Sequence, residues 1–150
     1  MERLGVTLTV EKLPWNYTCD GDDISPYIEI QGTGFKRLAL MMLDQDSPGG
    51  GGFVHWIMWN IEAVSIIPEN IRKESVISFP ISAVQGTNNF GRIGYSGPCP
   101  PAGEQHRYDI KIYGIDADLD LPAGATLKEL AKAMEGHITH YGDTFVLYGR

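Results

Sequence analysis

Short apolar or alternating stretches follow one another along the chain, and turns rich in glycine and proline separate them. Alternation of apolar and polar residues is typical of a strand with one buried face, whereas an unbroken apolar run is typical of a strand covered on both faces. The apolar run at residues 37–43 predicts a central strand of the second kind. The predicted strands together cover residues 7–10, 27–30, 37–43, 53–61, 76–79, 107–116 and 144–148.

One segment near the C-terminus has the pattern of a helix instead. Thr126 stands three residues before Glu129, which is the spacing of a capping box, and Gly136 is placed to end the helix. The apolar residues that would share its buried face are Leu127, Leu130, Ala131 and Met134. With a polar loop at residues 16–26, the pattern predicts a single mainly-β domain over residues 1–150, a β-sandwich around a large central sheet with a C-terminal helix.

Composition limits the classes of function. The chain has 150 residues, 43% of them hydrophobic, which is enough for one compact core, and its net charge of -7 argues against nucleic-acid binding. No apolar run approaches the length that spans a bilayer, and the first residues lack the apolar core of a signal peptide. We therefore expect a cytoplasmic protein in which Cys19 and Cys99 are free thiols. A disulfide between them stays open, because spacing along the chain does not report distance.

The chemistry-bearing residues fall in two segments, residues 44–48 and residues 97–103, each a turn beside a predicted strand. Asp44 ends an apolar strand, where a carboxylate needs a partner, and an imidazole is the natural choice. His106 and Tyr108 follow the second turn, and in an alternating strand they share one face. If these groups converge, they form a small polar pocket that suits an anion.

Other candidates have a structural alternative that the sequence leaves open. Asp46 either joins the pocket or stabilises its own turn through nearby backbone amides. His55 lies between apolar neighbours and is either a ligand or a core residue. Cys99 is either a nucleophile activated by an imidazolium or a buried inert thiol. Arg107 points to the opposite face, where we expect it to pair with a loop carboxylate. The rigid wall around the cysteine consists of Pro98, Pro100 and Pro101.

Motifs over nearly the whole chain resemble those of the phosphatidylethanolamine-binding protein family, in its short bacterial and archaeal Raf-kinase-inhibitor-like branch. They include Asp-Gln-Asp-Ser-Pro at 44–48, Val-His-Trp at 54–56, Gly-Thr-Asn-Asn-Phe-Gly at 86–91, Gly-Pro-Cys-Pro-Pro at 97–101 and His-Arg-Tyr at 106–108. Three features depart from the family pattern. Gln45 replaces a usual proline, the glycines at 49–52 predict a mobile lip beside the pocket, and residues 140–143 replace a more helix-favouring segment.

The resemblance implies a binding protein that holds a small anion, such as phosphate or a phosphorylated head group, and modulates a protein partner such as a kinase. It implies no catalytic residue, no cofactor and no metal, although the aspartates and histidines are compatible with one. The implied ligand-binding residues are Asp44, Asp46, His55, Pro98, Cys99, His106 and Tyr108. A serine protease inhibitor is the alternative, and a small hydrolase using Cys99 or the histidine pair is the third hypothesis. A homodimer is compatible with all three.

Overall fold

A computed structural model of the chain describes residues 1–48 and 52–150, so most of the predicted lip at 49–52 lies outside the described residues. Strands make up most of the regular structure, and the helix α1 covers Leu127–Met134. In the described part of the chain no helix is long and apolar enough to cross a membrane. The strands in chain order are β1 (Glu2–Arg3), β2 (Gly5–Thr7), β3 (Ile28–Gln31), β4 (Arg37–Asp44), β5 (Phe53–Glu62), β6 (Ile66–Ile67), β7 (Val76–Ile77), β8 (Ala83–Gln85), β9 (Gln105–Ile115) and β10 (Ile138–Gly149).

In the described part of the chain the strands form two sheets. Seven strands build the large sheet in the order β1-β10-β9-β4-β5-β8-β7, and three build the small sheet in the order β2-β3-β6. The long strands β10, β9, β4 and β5 are antiparallel neighbours at the centre of the large sheet. This mainly-β fold with a helix near the C-terminus confirms the predicted fold class.

Both faces of the large sheet are buried, which explains the unbroken apolar run of β4. Successive strand residues point to opposite faces, so Leu40 packs in the same cluster as Ile28 of the small sheet. The next residue, Met41, packs in a second cluster with Leu130 and Met134 of α1. The large sheet is therefore a middle layer, with the small sheet on one side and α1 on the other, and "sandwich" describes it only approximately.

Helix α1 begins and ends as its pattern predicts. The Glu129 amide donates to Thr126 Oγ1 at 3.4 Å, and the Thr126 amide donates to Glu129 Oε1 at 3.0 Å, which completes the capping box. Gly136 follows the helix with a positive φ of 80°, a conformation that favours glycine. Leu130 is fully buried, whereas Ala131, expected on the same face, is exposed because the short helix meets the sheet along a narrow stripe.

Three strands depart most from their predicted bounds. β2 ends at Thr7, where the predicted strand begins, and Leu8 and Val10 pack on the core from outside any strand. β7 covers only the start of its predicted range, and Pro80, which has no amide to donate, follows closely. β10 begins at Ile138 instead of residue 144, so the segment that departs from the family pattern is strand.

The N-terminal segment lies against the outer edge of β10. β1 runs parallel to β10, and the Leu4 amide donates to the Tyr141 carbonyl at 2.9 Å. A Cβ on Gly142 would collide with the backbone of Leu4, so this close approach requires glycine. Further along, Lys12 forms a parallel bridge with Leu147. The length of β10 therefore depends on non-local pairing as well as on its own sequence.

Candidate functional site

The candidate site lies at the ends of central strands of the large sheet, where β4 ends and β9 begins. These strands are antiparallel, so the last residue of β4, Asp44, lies opposite Tyr108 of β9. On its other side β4 pairs with the start of β5, where Asp44 lies opposite Phe53. The topology therefore brings Asp44 close to His106 at the start of β9 and to His55 at the start of β5.

His106 is held between two carboxylates. Its Nδ1 lies 2.7 Å from Asp44 Oδ2, and its Nε2 lies 2.8 Å from Glu104 Oε1. The hydrogen bond to Glu104, and then that to Asp44, raises the pKa of the His106 imidazole, while burial opposes both. Two acceptors require two donors. The ring is therefore an imidazolium that donates from both nitrogens.

His55, unlike His106, is a neutral imidazole. It is buried, and its Nδ1 lies 2.6 Å from the Ser96 carbonyl. A carbonyl oxygen only accepts, so Nδ1 carries the proton. Burial lowers the pKa of the His55 imidazole, more than the nearby Asp44 charge raises it. The neutral ring therefore leaves its Nε2 as an acceptor, in contrast to the cationic His106.

Tyr108 lies beside both imidazoles. Its ring centroid is 5.3 Å from that of His55, edge to face, and 6.3 Å from that of His106, nearly parallel. The side chain is fully buried, and among the described residues its hydroxyl has no hydrogen-bond partner. Burial, followed by the Asp44 charge, raises the pKa of this phenol far above its usual range, so the hydroxyl keeps its proton. A buried hydroxyl without a partner is a ready donor for a ligand oxygen.

A cavity of about 190 Å³ opens beside these groups. It brings together four of the residues predicted from the sequence, Asp44, His55, Cys99 and His106, and Tyr108 lies just behind the two imidazoles. The complete lining consists of Asp44, Ser47, Pro48, Phe53, His55, Phe90, Cys99, Pro100, Pro101 and His106.

The cavity has an aromatic rim that was not predicted from the sequence. Phe53 and Phe90 contact each other with ring centroids 4.8 Å apart, and both contact His55. The loop that carries Phe90 is fixed by Asn88, whose side-chain oxygen accepts from the Phe90 amide, and by Asn89, whose side-chain oxygen accepts from the Val54 amide. The asparagine pair in the 86–91 motif was the available signal, because Asn side chains commonly hold loops against strands.

Besides Tyr108, two of the predicted residues do not line the cavity. Asp46 is exposed in its turn, and its carboxylate accepts from the Arg107 amide at 2.8 Å, which fits the turn-stabilising alternative. Pro98 supplies a backbone carbonyl to the Cys19 amide. The prediction that Arg107 pairs with a loop carboxylate is wrong. Its guanidinium pairs at 2.8 Å with Asp109, which lies two residues further along the same strand.

The expectation of free thiols is also wrong. Cys19 and Cys99 form a disulfide, with their Cα atoms 5.4 Å apart. Two hydrogen bonds bring the segments together: the Cys19 amide donates to the Pro98 carbonyl, and the Gly97 amide donates to the side-chain oxygen Asp23 Oδ1 at 2.8 Å. A bonded sulfur has no thiolate, so Cys99 is neither a nucleophile nor an inert thiol, but part of a cross-linked cavity wall.

Within residues 1–48 and 52–150, no group of three or more His, Cys, Asp or Glu side chains is arranged to hold a metal ion. His137 pairs with Asp116 at 2.8 Å, and His140 is held by Glu2 and the Thr33 carbonyl. These two histidines therefore have structural partners of their own.

Comparisons with known proteins show which sequences and solved structures the chain is similar to. A sequence model of the family described as phosphatidylethanolamine-binding protein matches residues 7–149. The UPF0098 protein PH1269 of Pyrococcus horikoshii is 49% identical over 143 residues, which cover 93% of this chain and 72% of that protein. The solved phosphatidylethanolamine-binding protein homologue CT736 of Chlamydia trachomatis is 32% identical, with a TM-score of 0.87 over 100% of this chain and 99% of the other. The structure of Escherichia coli YbcL, described as a new member of the mammalian PEBP family, is 26% identical, with a TM-score of 0.87 over 98% of each chain.

Proposed function

The chain belongs to the phosphatidylethanolamine-binding protein family, and on that premise we propose that its cavity binds a small anion without transforming it. The anion is phosphate or the phosphorylated head group of a larger molecule. The observation that carries the proposal is the His106 imidazolium, which lines the cavity and already holds a carboxylate oxygen at 2.8 Å from Nε2. A phosphate oxygen is an acceptor of the same kind.

The size of the cavity supports a head group rather than a whole lipid or a drug-sized ligand. Its volume of about 190 Å³ is below the ~300–1,000 Å³ of typical small-molecule sites. Tyr108 does not line the cavity, so its buried hydroxyl would donate to a ligand only after the neighbouring side chains move. Phe53 and Phe90 supply an apolar rim for the part of the ligand that carries the anionic group.

The disulfide supports binding over turnover. With Cys99 bonded to Cys19, the thiolate that a cysteine hydrolase would need is missing from the cavity wall. The finer part of the proposal is that the occupied cavity modulates a protein partner such as a kinase. Phe90, 41% exposed at the mouth of the cavity, gives such a partner an apolar contact next to the anion.

Calorimetric titration with inorganic phosphate and with phosphorylethanolamine at pH 6 tests the proposal. His106→Gln removes the cationic donor while keeping most of the side-chain volume, and we expect affinity to fall at least tenfold, since a charge-assisted hydrogen bond contributes ~1.5–3 kcal/mol. His137→Gln is the matched control, because that exposed imidazole pairs with Asp116 away from the cavity. Unchanged affinity in His106→Gln would refute the assignment. Titratable inhibition of a serine protease by the parent protein would favour the alternative function.

A further inference from the structure

The two carboxylates on His106 are held very differently. The Asp44 side chain is 7% exposed, and its second oxygen accepts from the Asp46 amide at 2.9 Å. The Glu104 side chain is 54% exposed, and in the described part of the chain its carboxylate has His106 Nε2 as its only hydrogen-bond partner. Asp44 is therefore a fixed part of the site, whereas Glu104 can leave it by turning its side chain.

We propose that Glu104 sets the anion affinity of the cavity as an internal competitor, whose carboxylate occupies the position on His106 Nε2 that a ligand oxygen takes. The inference rests on the proposed function and deepens it. An imidazolium has two N–H donors, and Nδ1 is committed to Asp44. Only Nε2 remains for a ligand, so an incoming phosphate oxygen must displace Glu104.

Charge leads to the same conclusion. With Glu104 in place, one imidazolium is flanked by two carboxylates, and this part of the cavity carries a net negative charge that repels an anion. When the Glu104 carboxylate turns away, the charges of His106 and Asp44 balance. An anion then meets a cationic donor instead of an ion pair that is already closed.

The structure offers the displaced carboxylate a destination. Glu104 itself lines not the anion cavity but a second groove of about 410 Å³, whose lining includes Lys12 and Arg150. Among residues 1–48 and 52–150, Lys12 has no ion-pair partner, while Arg150 pairs with Asp20. The Glu104 backbone is anchored by two hydrogen bonds, from its amide to Pro101 and from the Arg150 amide to its carbonyl, both at 3.1 Å. Side-chain rotation alone is therefore enough to open the site.

The size of the effect follows from the fraction of time that the site is open. If Glu104 holds Nε2 for about nine-tenths of the time, the apparent affinity for phosphate is about tenfold weaker than that of the open site. Glu104→Gln weakens the competing contact, because a neutral amide oxygen replaces a carboxylate. Glu104→Asp keeps the charge but shortens the side chain by one methylene, which takes the carboxylate out of reach of Nε2.

The test compares inorganic phosphate titrations of the parent, Glu104→Gln, Glu104→Asp and Glu135→Gln at pH 6, with thermal unfolding to verify the fold of each. When Glu104 is replaced, the hydrogen bond and charge of Asp44 still favour the cationic form of His106, and pH 6 lies below the ordinary histidine pKa of about 6.5. We expect Glu104→Gln to bind phosphate about tenfold more tightly than the parent, and Glu104→Asp to gain less, because its carboxylate still repels the anion. Glu135, exposed at the end of α1, is the control for the change in net charge, and its variant should bind as the parent does.

The other outcomes separate the two proposals. Phosphate binding that is equally tight in the parent and in Glu104→Gln would overturn the competitor role and leave the anion site standing. Tighter binding in Glu104→Gln but not in Glu104→Asp would also overturn it, because the effect would then be repulsion by the charge rather than occupation of Nε2. Binding by the Glu104 variants alone would support it. Absence of binding in all four proteins would refute both the competitor and the anion site.

Discussion

Replacing both half-cystines with serine isolates the contribution of the cross-link between Cys19 and Cys99 to stability. Both residues are exposed, so Cys19→Ser and Cys99→Ser open no cavity in the core. The hydrogen bonds that join the two segments, from Cys19 to Pro98 and from Gly97 to the Asp23 carboxylate, remain available in the variant. A loss of stability in the double variant therefore reports the cross-link itself.

The expected loss follows from the length of the loop that the disulfide closes. Its cysteines are 80 residues apart in the chain. In the chain-entropy account a cross-link restricts the unfolded chain more as the loop grows, which gives an upper figure of about 4.5 kcal/mol for this length, while measured native bridges typically contribute ~2–4 kcal/mol. At roughly 2–4 °C per kcal/mol for a chain of this size, the unfolding midpoint should fall by about 5–15 °C.

Urea and thermal unfolding of three samples provide the assay: the oxidised parent, the reduced parent and the double serine variant. Trp56 and Trp59 are fully buried, so their fluorescence reports the loss of the core. We expect no reactive thiol in the unfolded parent without reductant, and the same midpoint for the reduced parent and the variant. If the variant unfolded within ~1 kcal/mol of the oxidised parent, the loop-closure reasoning would be refuted.

Two further predictions concern the histidines. Sulfate, whose charge is constant between pH 6 and pH 9, should bind more weakly at pH 9. The pKa of His106 is raised, and the ring is cationic below that pKa and neutral above it. The stability that the ion pairs of His106 contribute is fully present below about pH 6.5 and should be lost as the pH rises through the raised pKa. Equal affinity at the two pH values would contradict this. His55→Ala should lower the free energy of unfolding by ~2–5 kcal/mol, because it empties a buried position, whereas His137→Ala at a half-exposed position should change it by ~0.5 kcal/mol or less. Equal unfolding curves for His55→Ala and the parent would show that His55 does not support the core.

The long central strands and the helix were predictable because the spacing of apolar residues within each segment matches the face that it buries. β4, β5 and β9 follow their apolar runs closely, and the capping box of Thr126 and Glu129 places the start of α1. The short strands β1, β6 and β8 were missed, since two or three residues show no period. The early part of β10, with His140 and Gly142, lacks a strand pattern and is ordered by its partners β9 and β1.

The same distinction between local and non-local information applies to the candidate site. That a buried Asp44 needs an imidazole partner follows from the cost of burying a lone charge, and the structure pairs it with His106. That Glu104 turns back onto the same ring depends on the path of the loop before β9, which no period or motif reports. The disulfide was misjudged for the same reason, because the two segments that carry Cys19 and Cys99 meet only in the folded chain.

The N-terminal residues that lie along β10 have a consequence for the behaviour of the protein in solution. Without them, a strand from Ile138 to Gly149 would present a row of unpaired amides and carbonyls, a template on which another chain can add a strand. Parts of that row are covered by the N-terminal segment. It pairs with β10 through β1, through the Leu4 hydrogen bond and through the Lys12 bridge. Undocking this segment would therefore promote self-association and aggregation, and at its Lys12 end it would also alter the groove that Lys12 and Leu147 line together with Glu104.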